Sequence, residues 1–327
     1  MRMTSIALTL LLAATAAQAG SLEGLVSRAE VTGPRGSFVT EMVSLADGTA
    51  RFVQTYPADD PRRRGPVELL TLPAGRAFQR SDKGEFEAAA AGIASFVLGH
   101  DAPRLAIAAG TRPASISVPA PVETGGGTVT ITLADYRRVI DFELPFTATF
   151  VHSAAPDDRY VYRYTELLPF RVAPGSAAPA GEQNPAKLME RLADLANLAR
   201  AHERVMAAHR AGDATMLIAD AAERSTISGT GRLSQTTRDE QLARMRNYLG
   251  SIRFSRYEDT AVPVIALSRD GTLAWLACEM QAEGHRNAGG KNEPIAYGFS
   301  WVEHYARDPD SKDRRWTSIG IASSQRP

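Results

Sequence analysis

A single cysteine, Cys278, leaves the chain without any possible internal disulfide, so stability has to come from apolar cores rather than covalent staples. Lysine is almost missing as well: Lys83, Lys187, Lys291 and Lys312 stand against a large arginine complement. An excess of either charge is lacking too. Thirty-seven basic side chains face 37 acidic ones, and each half is balanced, which excludes the basic surplus of a nucleic-acid binder. Beyond the N-terminus the apolar runs, such as Ala88 to Leu98, fall short of the roughly 20 residues a membrane span needs, so no stable membrane insertion is expected. No Gly-x-Ser-x-Gly elbow or cluster of metal ligands occurs, and neither metal nor other cofactor is expected. Gly125-Gly126-Gly127 has no strand-to-helix context and reads as a turn. Ser228 to Arg232 lacks the lysine of a nucleotide loop and reads as a connection between helices, and Arg62-Arg63-Arg64 reads as a solvated cluster.

What is present begins with Met1-Arg2, an apolar stretch from Ile6 to Ala16, and Ala17-Gln18-Ala19. A charged start, a short apolar core and a small-x-small site make a secretory signal peptide cleaved after Ala19. With arginine so favoured over lysine, as in a high-GC bacterial genome, the expected location is the periplasm, or secretion beyond it. No cysteine follows the cleavage site to carry a lipid.

The length suits two domains. Residues 173–185 carry no large apolar side chain and read as a linker between a domain at 20–172 and another at 186–327, with the signal peptide at 1–19. In the first domain, Phe38–Leu45 and Arg51–Tyr56 flank an Asp47-Gly48 turn, a second hairpin folds around Ser81 to Gly84, and a third joins Phe146–His152 to Tyr160–Tyr164. Glu87 to Leu98 is the helix candidate. The fold class expected is α+β, opening with an antiparallel, β-rich, half-barrel-like domain holding one helix. The hairpin order and the phrase Ala-Asp-Gly-Thr-Ala-Arg-Phe-Val-Gln-Thr-Tyr-Pro at residues 46–57 resemble the lipoprotein-carrier half-barrels of the bacterial periplasm.

The second domain starts with a cap at Asn184, Pro185 in the first helical position, and Gly212 as the stop. Leu188, Leu192, Leu195, Ala199, His202, Met206 and His209 form one stripe of that helix. Asp213 to Ala222 reads as a short helix and Arg238 to Leu249 as a third, capped by Thr236 or Thr237. Strands follow at Thr272–Glu283, Ile295–Arg307 and Arg314–Ser323, the first two separated by a polar loop from Gly284 to Asn292.

Helix–helix–helix–sheet order, Asp270-Gly271 before Trp275, Trp301-Val302-Glu303, and Arg315-Trp316 opening a strand that ends in Ser323-Ser324 carry a further resemblance. Across Leu198 to Ser324 the chain resembles the nuclear transport factor 2-like superfamily, SnoaL-like and ketosteroid isomerase-like proteins included. The resemblance implies a cone-shaped α+β barrel, with helices over a strongly curved mixed sheet and a cavity inside. Its enzymes typically work with an Asp or Glu base and a Tyr, His or Asp that stabilises an enolate.

Alternation on Ile295–Tyr305 puts Tyr297, Phe299, Trp301, Glu303 and Tyr305 on one face. Together with Trp275 and His202 these aromatics are the expected ligand-binding residues, for a small apolar or amphipathic molecule. The candidate catalytic residues are Glu303, His202, Tyr297 and Glu279, because a carboxyl group among rings is poorly hydrated and rises in pKa toward a value useful for proton transfer. Pairing with arginine is the competing reading of both carboxylates, and a core histidine bonded to backbone or water that of His202. His202 and His209 lie about 10.5 Å apart along the helix, too far to share a metal ion. Cys278, in an apolar strand, reads as a buried inert thiol. Three functions follow as expectations: a non-catalytic binding or scaffolding protein; an isomerase, dehydratase or cyclase; or a homodimer formed through the sheet face of Ala274, Leu276, Cys278 and Met280.

Overall fold

The computed structural model describes residues 22–60, 65–90, 92–109, 112–120, 126–176, 183–229, 232–307 and 315–325. The signal-peptide region, Arg62 to Arg64 and part of the 173–185 stretch lie outside them. The chain divides into two compact units, Met1–Pro169 with Glu182–Ala193, and Phe170–Gly181 with Asp194–Pro327.

The first unit begins with β1 (Gly24–Gly33), β2 (Gly36–Leu45), β3 (Ala50–Thr55), β4 (Val67–Leu72), β5 (Arg76–Arg80) and β6 (Phe86–Ala88), each antiparallel to the next. Ala29 and Val31 of β1 point into the core while Arg28 and Glu30 face water. The β2–β3 turn is set by Gly48 at φ 88° and by Asp47 Oδ1, which accepts from Thr49 N at 2.8 Å. Two helices follow, α1 (Ile93–Gly99) and α2 (Ala102–Ala109), and then β7 (Ser115–Pro119), β8 (Thr128–Val139), β9 (Phe142–His152) and β10 (Ala155–Val172), again antiparallel in sequence. Leu105 and Ala106 of α2 pack with Leu25, Ile131, Leu144 and Phe150. Beside them Arg104 is half-buried and spends its guanidinium on Asp101 Oδ2 (3.2 Å), Ser44 O (2.7 Å) and Leu22 O (3.0 Å).

A long helix, α3 (Pro185–Ala211), runs from the first unit into the second. Asn184 Oδ1 accepts from Ala186 N at 3.0 Å, and Gly212 leaves the helix at φ 69°. Next come α4 (Ala214–Leu217), β11 (Ala221–Gly229), β12 (Arg232–Thr237), α5 (Arg238–Ser251), β13 (Ile252–Asp259), β14 (Val264–Leu267), β15 (Leu273–Ala288), β16 (Lys291–Ala306) and β17 (Thr317–Gln325). Thr237 and Glu240 close a capping box on α5. Strand β15 pairs with β14 along its first half, β13 along its second and β16 throughout. Beyond β16, β17 is antiparallel to it and parallel to β11, while β14 runs parallel to the end of β10.

These pairings correct the expected α+β class. Among the described residues β1–β10 make antiparallel pairings with two helices beside them, and β11–β17 pair in a mixed sheet, in place of a one-helix half-barrel followed by helices laid over a cone. The differences are local and physical. Asp213 does cap a helix, but after one turn the chain becomes strand: Arg224 to Gly229 pair with β12 and Thr226 to Ser228 with β17 as well, and Thr226 and Ile227 suit a pleated surface. Ser228 to Arg232 therefore joins two strands. The expected loop Gly284–Asn292 is strand up to a two-residue turn, where Gly289 (φ 58°) and Gly290 (φ 83°) both take left-handed backbone. Gly284 marks a close approach: a Cβ there would lie 2.1 Å from the Arg253 carbonyl of β13. In the first unit the helix expected from Glu87 starts only at Ile93, with a second helix behind it.

Candidate functional site: a cavity in the second unit

Strand β16 turns Trp301, Glu303 and Tyr305 inward, all nearly inaccessible, with Phe299 beside them. Its register aligns Trp301 with Cys278 and Glu303 with Leu276, so the even face of β15 is the inner face too. Phe299 stacks on Trp301 (5.3 Å between ring centres) and meets Tyr257 of β13 edge-on (6.2 Å).

Against this aromatic wall lies a cavity of about 310 Å³. Helix α3 supplies Ala201, Arg204, Val205 and His209 to it, at helical spacing. Helix α5 supplies Gln241, Arg244, Met245 and Tyr248, its i, i+3, i+4, i+7 face. Met216, Leu217 and Ile218 close one side, and Ile227 and Ile321, from the parallel strands β11 and β17, close another.

The polar groups in this lining differ in how they are satisfied. Glu303 is buried, and burial pushes its carboxyl pKa up; hydrogen bonds from Ser318 and Tyr305 and the nearby His202 pull it partly back. Asp220 is held by Arg204 (2.5 Å) and Arg315 (3.1 Å). Gln241 is buried, and its Nε2 has no hydrogen-bond partner among the described residues. Arg244 is exposed at the cavity edge and makes no ion pair among the described residues.

Behind Trp301, with rings 5.7 Å apart, sits His202. Its Nε2 lies 3.0 and 2.9 Å from the two carboxylate oxygens of Asp259, at the end of β13. Burial alone would lower the His202 pKa, but the Asp259 carboxylate overrides it and the net shift is upward. His209 differs. Its Nδ1 donates to the Val205 carbonyl at 2.8 Å, its ring stacks on Tyr257 at 4.2 Å, and burial lowers its pKa to about 4. The ligand atoms of His202, Asp259 and Cys278 all lie within 4.8 Å of one another. A trio that could hold a metal ion thus forms across three elements, and sequence spacing does not reveal it. Burial raises the Cys278 thiol pKa well above its usual range, which keeps it protonated.

Of the residues singled out in the sequence, Glu303, Phe299, Trp301 and Tyr305 line the cavity together. The Tyr297 hydroxyl lies 3.3 Å from that of Tyr248, a cavity residue. His202 stands one layer behind. Trp275 and Glu279 do not reach the cavity: both belong to the outward face of β15, and Trp275 is 36% exposed. Ala274, Leu276, Cys278 and Met280, read as an uncovered dimer face, are buried by the chain itself. Sequence reasoning missed Asp220, inside a segment read as helix, and Asp259, on a strand not foreseen. It also missed Gln241 and Arg244, although their spacing from Met245 and Tyr248 on one helix face carried the signal.

The sequence matches no protein-family model and no curated protein. About two fifths of the chain is similar to solved structures of the NTF2-like and ketosteroid isomerase-like kind. Among them are a ketosteroid isomerase-like protein from Erwinia carotovora atroseptica (15% identity, 41% of this chain and 97% of that one, TM-score 0.34) and an NTF2-like protein of unknown function in nutrient uptake from Rhodospirillum rubrum (18%, 40% and 98%, TM-score 0.33). A third is an NTF2-like superfamily protein from Salmonella enterica serovar Typhimurium (14%, 39% and 87%, TM-score 0.32).

Proposed function

We propose that this is an exported, periplasmic binding protein whose second unit holds a small amphipathic molecule in the cavity against β16. The observation that carries the reading is the lining: mostly apolar walls of about 310 Å³ with a few polar groups, one of them a buried amide without a partner. Ligand sites combine apolar walls with a few well-placed polar groups in this way, and a buried polar group left unbonded costs about 1–3 kcal/mol. The uncharged probe N-phenyl-1-naphthylamine tests it. Saturable one-site fluorescence is expected from the full chain, and its loss in Val205→Trp, which fills the cavity. A wild-type protein that gives no saturable signal overturns the reading. Export is tested by fractionation: the chain should leave with the periplasm, and a chain lacking residues 1–19 should stay behind.

One observation favours a second reading, an isomerase, dehydratase or cyclase. Glu303 is a buried carboxyl with a raised pKa facing the same cavity, suited to general acid–base work typically worth 10²–10⁴ in rate. Glu303→Gln would then abolish turnover while sparing ligand binding; undiminished activity would remove the role.

A further inference from the structure

We infer that the occupant of this cavity is a carboxylate-headed amphiphile, its head held between Gln241 and Arg244 and its tail along the apolar wall. The inference rests on the binding role proposed above and adds the chemistry of the head group.

The first line of argument is charge. Two carboxyl side chains line the cavity, and both are engaged by the chain's own groups. Asp220 is held by two guanidinium groups, Arg204 at 2.5 Å and Arg315 at 3.1 Å. Glu303 is buried and takes hydrogen bonds from Ser318 and Tyr305, with His202 nearby. Arg244, by contrast, lines the cavity with no ion pair among the described residues. Arg244 therefore offers the cavity a cation that no carboxylate of the described residues pairs with, which favours an anion beside it.

The second line is hydrogen bonding. Gln241 is 7% exposed and lines the cavity, and no hydrogen bond reaches its side-chain amide among the described residues. Buried amides are normally bonded, so this one is a donor held ready for something in the cavity. Gln241 and Arg244 stand three residues apart on the same face of α5, within reach of one small group. A buried amide N–H beside a planar guanidinium suits a carboxylate, whose two oxygens can take one donor each. An uncharged hydroxyl would satisfy the amide and gain nothing from the guanidinium.

The third line is the remaining surface. Val205, Met216, Ile218, Ile227, Met245 and Phe299 give the rest of the cavity an apolar lining. A fully charged metabolite would leave these walls unused, whereas an alkyl or aryl tail covers them.

Isothermal titration of the full chain at pH 7 with two probes of equal chain length, decanoate and 1-decanol, tests the inference. Decanoate should bind at least tenfold more tightly than decanol. Arg244→Met should erase that preference, with circular dichroism confirming that the variant is folded. Gln241→Leu should weaken decanoate alone. Equal binding of the two probes, tighter binding of decanol, or a preference that survives both substitutions overturns the carboxylate head group while leaving the cavity's binding role intact. Binding of neither probe overturns both.

Discussion

Both carboxylate oxygens of Asp259 lie within 3.0 Å of His202 Nε2, and that imidazole meets Trp301, a wall of the cavity, with ring centres 5.7 Å apart. A half-buried carboxylate thus holds a buried histidine one layer behind the cavity wall, and His202 binds its proton more firmly folded than unfolded.

That linkage sets a pH dependence. The His202 pKa is raised above the ordinary 6.5, so its contribution to stability is fully present below pH 6.5 and is lost as pH rises through the folded value. Asp259→Asn should cost about 1–3 kcal/mol at pH 5.5, because it removes the charged partner of a largely buried histidine. It should also flatten the decline on the alkaline side. Urea titrations at pH 5.5 and 8.5 measure both effects; an unchanged alkaline slope in the variant would assign the decline to another group.

Glu303 adds to the same alkaline loss. Its folded pKa is raised above 4.5, so its proton helps folding below that pH and the benefit disappears as pH climbs through the folded value. Glu303→Gln should therefore unfold at higher urea than the parent at pH 8 and at about the same urea at pH 4. A variant that is weaker at pH 8 would contradict the buried, proton-favouring site.

His209 works in the opposite direction. With its folded pKa lowered to about 4, stability is present above 6.5 and falls away as pH drops through 4, by at most about 3 kcal/mol. His209→Phe keeps a ring against Tyr257 and cannot take up the proton. The variant should lose less stability than wild type between pH 7 and pH 4, read from denaturation midpoints at the two values.

In the first unit, Arg104→Leu leaves Asp101, 2% exposed, without its cation, and should cost about 3–5 kcal/mol. Replacing both residues by apolar ones should cost clearly less. Equal losses in the single and double variants would show that the arginine stabilises by packing alone.

The Gln241 amide gives the cavity a measurable cost. Gln241→Leu should stabilise the ligand-free chain by about 1 kcal/mol, because it removes an unbonded buried group. Thermal unfolding without ligand checks this, and a lower midpoint would mean that the amide is bonded.

The inward face of β16 was legible because strict alternation of five residues, four of them aromatic, fixes which side is buried. So were the caps at Asn184 and Thr237, whose chemistry is local. The β-sheet content was not. Ala221–Gly229 and Gly284–Ala288 are largely polar and glycine-containing, and much of what holds them as strand is the pairing with β12, β17, β13 and β16, which no short window of sequence reveals. The pairing of His202 with Asp259, 57 residues away, was hidden for the same reason. Gln241 was overlooked because glutamine is ordinarily a surface residue, and its role depends on the wall opposite.

The placement of the three tryptophans gives the protein an optical signal of its own. Trp275 stands in water on the outer face, Trp316 is buried beneath Arg307, and Trp301 alone borders the cavity. Emission from the exposed indole can be suppressed with a soluble quencher, and the Trp316 contribution should stay constant as the cavity fills. Whatever enters the hollow therefore alters the light of one ring, and its arrival can be timed in the unlabelled, unaltered chain.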